Sequence, residues 1–211
     1  MMVSMTDHAE RLQDRKRLAV QKDIAETAER LFMERGYDAT TMDDIATACG
    51  MSTRTAYRYY PTKDDILVSR FAGSADLLVA ALRSRPHAEP AWVSLRAAFE
   101  GLTRHVDNRT DRASVQKLHQ AIFSTPALLG RYLQRLHGAQ HEMIEILRDR
   151  SDGTAGKTIT DEVVLAATVG AAVACLIAAQ ETWSHQQHSL SLASVLDRAM
   201  DGVAPTAASI L

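Results

Sequence analysis

Between Thr41 and Tyr60 two short helical periods are separated by a single glycine, a pattern that folds as a pair of helices meeting at a tight turn. Met42, Ile45, Ala46 and Cys49 stand at i, i+3, i+4 and i+7, and Thr41 with Asp44 three residues on reads as a capping box. Helix two therefore covers about 41 to 49. Gly50 ends it, Ser52 is placed to cap a third helix through Tyr59 or Tyr60, and Pro61 interrupts the next turn. Upstream, Ile24, Ala28, Leu31 and Phe32 repeat at helical spacing within Arg17 to Arg35, and Gly36 follows where a left-handed C-cap would close helix one.

The rest of the chain continues in the same period. Thr62 can cap a long helix four, with Asp64 and Asp65 in its first turn and Ile66, Leu67, Phe71, Leu77, Leu78 and Leu82 as its apolar set. Helix five runs from Ala91 to Val106 with Trp92, Leu95, Phe99 and Leu102 in register. Residues 111–124 and 127–149 give helices six and seven, separated at Pro126, and 151–158, with Gly153 and Gly156, reads as a flexible loop. Thr160 to Gln187 is the most apolar helix. Leu192, Val195, Leu196, Ala199, Met200 and Val203 form a last stripe. The expectation is about nine helices and no sheet: with five Pro, ten Gly and 5% aromatic residues in 211, little strand and turn material is available.

Net charge is -2, yet Gly50 to Lys63 carries Arg54, Arg58 and Lys63 with no acid. A basic spot in an otherwise neutral chain suits local phosphate contact better than general attraction to polyanions. If Met51, Ala56 and Tyr60 pack inward, Ser52, Thr53, Arg54, Thr55, Tyr57, Arg58 and Tyr59 are left on the other faces, a surface of donors and cations without a carboxylate. Lys63, the free N–H groups at the start of helix four and the start of helix two at Thr41 offer further phosphate contacts. Arg11, Arg15, Lys16 and Arg17 precede helix one and read either as a disordered arm reaching a minor groove or as a solvated helix start.

Thr41-Met42-Asp43-Asp44-Ile45-Ala46, Ala48-Cys49-Gly50-Met51-Ser52, Thr55-Ala56-Tyr57-Arg58-Tyr59-Tyr60 and Lys63-Asp64-Asp65-Ile66-Leu67 resemble the TetR family of bacterial transcriptional regulators. The resemblance covers Arg17 to Phe71, including helix one ending in Phe32 and Gly36-Tyr37. It implies an all-α chain: a flexible arm over 1–16, a three-helix helix-turn-helix DNA-binding domain over 17–62, and a helical ligand-binding and dimerisation domain over 63–211. By the same resemblance Thr41, Tyr57 and Lys63 bind phosphates, and Ser52, Thr53, Arg54, Thr55 and Tyr59 face the major groove. Arg54 is best suited to bidentate reading of guanine. A double-stranded operator and a homodimer follow, together with a small-molecule effector that acts through helix four. For the effector, Phe99, Leu102, His105, His119, Phe123, Tyr132, His137, Met143 and Trp183 are the candidate lining.

Val163 to Ala179 is a run of 17 residues without charge. That is the lower limit for crossing a bilayer, and with no basic cluster or aromatic belt beside it a buried helix is favoured over a membrane span. Ala166, Gly170, Ala174 and Ala178 lie four apart and make a smooth ridge; with Leu192, Val195, Leu196 and Ala199 of the last helix they are the candidate dimer interface, each pair of helices meeting a symmetry mate in a four-helix bundle. The alternative is that the ridge packs within one chain.

Catalysis and cofactors are not indicated. His137 and His141 share a helix face, but Gly138 stands where a zinc protease needs its glutamate, and His185 and His188 sit among glutamines. Cys49 and Cys175 lie on apolar faces, too few and too far apart for a disulfide framework or a thiolate metal site, and a reducing cytoplasm is the expected compartment. The reading is a regulator, a repressor of a palindromic operator released by its effector; the rivals are an all-helical ligand-binding or scaffold protein without DNA binding, and a helical hydrolase or metal enzyme.

Overall fold

The computed structural model describes the backbone of residues 3–109, 112–151, 159–186 and 190–204, and the side chains of 13–69, 75–109, 112–150, 162–186 and 190–204. Among the described residues there are nine helices and no strand: α1 (Val3–Arg35), α2 (Met42–Ala48), α3 (Thr53–Tyr59), α4 (Lys63–Arg83), α5 (Ala91–Asp107), α6 (Arg112–Ser124), α7 (Pro126–Ser151), α8 (Ile159–His185) and α9 (Leu192–Val203). The loop expected at 151–158 and the last residue expected for helix eight, Gln187, fall outside the described residues apart from Ser151, which is the last residue of α7. The chain divides into two compact units, Met1–Phe71 and Ala72–Leu211, with α4 running through the division.

In the first unit the caps form as their residues dictate. The Thr41 hydroxyl accepts from the Asp44 N–H at 3.1 Å while the Asp44 carboxylate accepts from the Thr41 N–H at 2.9 Å, a complete capping box. That bonding, Thr41 foremost, holds the Asp44 carboxyl below the ordinary carboxylate range. Ser52 caps α3 by accepting from the Thr55 N–H at 3.2 Å, and Thr62 caps α4 by accepting from the Asp65 N–H at 3.1 Å. Gly36, at φ +90°, and Gly50, at φ +66°, occupy the left-handed region where a side chain would be strained. Ile24, Ala28, Leu31 and Phe32 of α1, Met42, Ile45 and Ala46 of α2 and Ala56 of α3 are buried, and α1, α2 and α3 pack on one another.

One boundary differs from expectation. The backbone is helical from Val3, so the stretch before Arg17 continues α1 instead of forming an irregular arm. Residues 1–35 contain neither Pro nor Gly to stop a helix. The apolar period that marks a packed helix begins only near Ile24, and for that reason the earlier turns are invisible to pattern reading.

In the second unit α8 packs against α5, α6, α7 and α9, and α9 also packs on α5. Trp183, Phe99, Leu95, Ile122, Leu128 and Met143 are fully buried there, each worth about 1.5–3 kcal/mol relative to exposure. Two polar fastenings set α9. The Asp107 carboxylate, at the end of α5, accepts from the Leu192 N–H at 2.8 Å and the Ala193 N–H at 3.0 Å, meeting two donors that the first turn of a helix leaves unpaired. Arg96 reaches Asp197 at 2.9 Å and Asp201 at 2.5 Å. By length and composition α8 could cross a membrane between Glu162 and His185; about a third of that stretch is buried, and the helix packs against α5, α6, α7 and α9.

Candidate nucleic-acid interface

The orientation of α3 follows from its smallest residue. Ala56 is wholly buried, and its short side chain lets α3 lie close to α1 and α2. Tyr60, just past the helix, is also buried; its hydroxyl donates to the Gln21 carbonyl at 3.3 Å and accepts from the Ser69 hydroxyl at 3.2 Å. Gln21 in turn donates its side-chain amide to the Tyr59 carbonyl at 3.5 Å. With that side fixed, Ser52, Arg54, Tyr57 and Arg58 are exposed, and Thr53, Thr55 and Tyr59 are half-buried. Tyr57 is 50% exposed, a large aromatic left in solvent on a two-turn helix.

Three of these residues are already engaged. The Thr53 hydroxyl donates to Asp43 at 2.5 Å, tying the first residue of α3 to α2 and placing a carboxylate beside the cationic face. The Ser52 and Thr55 hydroxyls lie 2.8 Å apart. Thr41 is exposed at the start of α2. Beside the end of α3, Arg58 and Tyr59 share a surface groove of about 530 Å³ with Asp14, Lys16 and Arg17 of α1, so two of the basic residues expected in an arm stand on a helix next to α3.

Lys63 is placed differently from a free surface cation. Its Nζ donates to the carbonyls of Tyr37 at 2.9 Å, Thr40 at 3.0 Å and Asp38 at 3.4 Å, and lies 4.4 Å from the centre of the Tyr37 ring. The Tyr37 hydroxyl donates to Asp64, and its ring stands 5.1 Å from that of Phe32. The sequence marks Tyr37 only as part of the family resemblance, without its contacts to Lys63 and Asp64, and gives no signal for Gln21.

In the second unit, four expected lining residues gather. His119 and Trp183 meet edge to face at 5.3 Å, Phe123 and Tyr132 at 6.1 Å, and the Tyr132 hydroxyl donates to the Gln180 side chain at 2.5 Å in the interior. Burial drives the His119 imidazole down to about 4 and the Tyr132 phenol well above its usual range. Phe99, Leu102 and Met143 are buried. His105 and His137 are exposed, which corrects their expected place in a lining: each lies on the solvent side of its amphipathic helix. Gln180, an amide inside the apolar run of α8, was the missed member. Among the described residues no group of three or more metal-ligating side chains occurs, and the His137 and His141 Nε2 atoms, 3.1 Å apart, are exposed.

The expected interface stripe also needs correction. Leu192 and Leu196 are buried within their own chain, and Gly170 lies against the Gln140 side chain of α7, so these surfaces are already used. Steps of four residues advance about 40° too far around an α-helix, so a ridge of four such residues drifts from the inner to the outer face. Ala166 and Gly170 are accordingly half-buried and Ala174 and Ala178 exposed, joined outside by Val164 and Ala167; Val195 and Ala199 are half-buried.

A three-helix unit with a capped, outward-facing basic helix, followed by a separate helical unit whose apolar core encloses a few polar side chains such as His119 and Gln180, is the arrangement of helix-turn-helix transcriptional regulators with a C-terminal sensory domain. Residues 24–69 match the model of bacterial regulatory proteins of the tetR family, and 89–208 match that of the MftR C-terminal domain. The chain belongs to the TetR family of DNA-binding transcriptional regulators. It is 28% identical over 189 residues to a protein of Mycobacterium tuberculosis named for a mycofactocin biosynthesis transcriptional regulator, MftR, with 90% of this chain and 91% of that protein covered. It is 27% identical over 143 residues to the transcriptional regulator TcmR of Streptomyces glaucescens, covering 66% of this chain and 63% of TcmR, a little under two thirds of that relative's length. Among solved structures it shares the fold of Thermus thermophilus FadR, a repressor in complex with lauroyl-CoA, at TM-score 0.58, 21% identity and coverage of 86% and 91% of the two chains. A regulator from Rhodococcus sp. RHA1 likewise gives TM-score 0.58 at 18% identity, with coverage of 90% and 97%.

Proposed function

We propose that the chain acts in the cytoplasm as a dimeric repressor that reads a palindromic operator with two copies of α3 and is released by a small molecule bound in its C-terminal domain. The observation that carries this reading is the face of α3: Ala56 turned fully inward leaves Arg54, Tyr57 and Arg58 in solvent beside Ser52, Thr53, Thr55 and Tyr59. Arg54 reads guanine, the hydroxyls of Ser52, Thr53, Thr55 and Tyr59 meet base edges or nearby backbone, and Tyr57, Arg58 and Thr41 meet phosphates. The DNA-binding domain is residues 17–62 and the sensory and dimerisation domain 63–211.

One short helix buries too little surface for a specific site, so two copies share one palindrome, spaced by roughly one DNA turn of 34–36 Å. The outer seam of α8, Val164, Ala167, Ala174 and Ala178, with the half-buried Val195 and Ala199 of α9, is the surface through which copies pair. An effector held near His119, Phe123, Tyr132, Gln180 and Trp183 alters operator affinity by the difference in its own affinity for the two states, passed along α4. The lauroyl-CoA of the FadR neighbour makes acyl-CoA thioesters the first compounds to titrate.

Selection of bound fragments from a random duplex pool tests the reading. Enrichment of a palindrome with half-sites one helical turn apart supports it, and retention that is absent or indifferent to sequence contradicts it. A pure scaffold would show no steep loss of DNA affinity with salt.

A further inference from the structure

We infer that Asp43 and Thr53 form a base-reading pair that accepts from the exocyclic amino group of cytosine, an assignment that rests on the DNA-binding reading of this domain. The Thr53 hydroxyl donates to Asp43 Oδ1 at 2.5 Å, bridging the first turn of α2 and the first residue of α3. A hydroxyl has one proton to give, and an ionised carboxylate has none. With that proton committed to Asp43, the junction between the two helices presents lone pairs of Thr53 Oγ1 and the second Asp43 oxygen, and no donor. Among the described residues no cation pairs with Asp43; Arg35 stands against the neighbouring Asp44 instead, at 3.6 Å.

Neither residue is needed here to finish a helix end. Asp44 closes the capping box of α2 with Thr41, and Ser52 caps α3 by accepting from the Thr55 N–H at 3.2 Å. Asp43 is exposed, so its bond to Thr53 replaces one that water would supply and adds little to folding. What the bond decides is the polarity of the junction. Ser52 and Thr55 differ in this respect: their hydroxyls, 2.8 Å apart, hold two protons of which their contact uses one, so that pair still both donates and accepts. Arg54 and Arg58 only donate. In the major groove guanine shows two acceptors, thymine an acceptor and a methyl group, adenine an acceptor beside its amino group, and cytosine its amino group alone. Arginine therefore suits guanine. The acceptor-only junction suits cytosine first and adenine second, while guanine and thymine set acceptor against acceptor. A carboxylate also repels phosphate, so the pair contributes selectivity and not general affinity.

The test takes the full chain, a duplex that the wild type selects from a random pool, and copies of that duplex with each base pair of a half-site changed in turn. The wild type, Asp43→Ala, Asp43→Asn and Thr53→Val are titrated against the set at one salt concentration. The inference predicts one position in each half-site at which the wild type prefers cytosine over guanine or thymine by about tenfold or more. Asp43→Ala frees the Thr53 proton and levels the bases there while other positions keep their preferences; Thr53→Val weakens the preference, and Asp43→Asn, whose amide both donates and accepts, moves it toward adenine. A bond that merely ties α2 to α3 would, when cut, lower the affinity for every duplex by one factor, and a carboxylate that merely repels phosphate would, when removed, raise it for every duplex. Either result, or a selected palindrome with no position at which Asp43→Ala changes the preference, overturns the inference. These results leave the regulator reading standing, because the wild type still selects a duplex; a wild type that selects none overturns both.

Discussion

Tyr37 and Lys63 meet twice, once through the Tyr37 carbonyl, which accepts from Lys63 Nζ at 2.9 Å, and once through the ring, whose centre lies 4.4 Å from the same nitrogen. The Tyr37 hydroxyl reaches on to Asp64, so a single side chain joins the end of α1 to the first turn of α4. Tyr37→Phe removes only the hydroxyl and is expected to cost about 1 kcal/mol, the net value of one hydrogen bond. Tyr37→Ala also removes the cover over Lys63 and the contact with Phe32, and is expected to cost about 2–3 kcal/mol more. Urea midpoints of the two variants check the order; equal losses would deny the ring its part.

Asp107 caps α9 through two backbone N–H groups. Asp107→Ala leaves those donors without their carboxylate, although Ser191 still accepts from Ser194 at 3.0 Å. A loss of about 1–3 kcal/mol is expected for removing hydrogen bonds to a charged group. Because α9 carries part of the proposed pairing surface, the dimer dissociation constant in sedimentation should rise as well. Unchanged dimerisation with lowered stability would separate the cap from the interface.

The bond between Tyr132 and Gln180 joins α7 to α8 in the interior. Tyr132→Phe deprives the Gln180 carbonyl oxygen of this donor and is expected to cost about 1–3 kcal/mol. Replacing both by apolar groups should cost less than the two single changes added together. A double-mutant cycle in chemical denaturation measures the coupling; strict additivity would show that the pair contributes nothing jointly.

His119 gives the fold a pH dependence. Its imidazole is held down to about 4 by burial, against an ordinary value of 6.5, so between these values the unfolded chain takes up a proton that the folded chain does not. Stability is therefore full above about pH 6.5 and falls as the pH drops toward 4, by up to about 3 kcal/mol from this group. In His119→Leu the same interval should be flatter. Denaturation midpoints collected across it decide the matter, and a slope unchanged by the substitution would assign the acid limb to other groups.

Local chemistry made the DNA-binding unit readable. Thr41 with Asp44, Ser52, Thr62 and the two positive-φ glycines each act within four residues, so their signals survive without knowledge of the fold. What depended on tertiary packing did not survive. Leu192 and Leu196 look like interface on a helical wheel and are interior, because α5 and α8 cover that side of α9. Leu77, expected in the apolar face of helix four, is 59% exposed. Lys63 reads as a phosphate contact by its charge and spacing, and only the arrangement of Tyr37, Asp38 and Thr40 around it shows the carbonyls that its ammonium also meets. Gln180 is one amide in an apolar run until Tyr132 is placed opposite.

The exposed face of α3 as a reader of base edges is tested most directly by measuring, at one fixed salt concentration, the affinities of the wild type and Arg54→Ala for a selected duplex and for versions of it with single guanines replaced. The wild type should lose about 1–3 kcal/mol when the guanine contacted by Arg54 is changed, and Arg54→Ala should bind all versions equally at that position. An Arg54→Ala protein that kept the full preference would contradict the account.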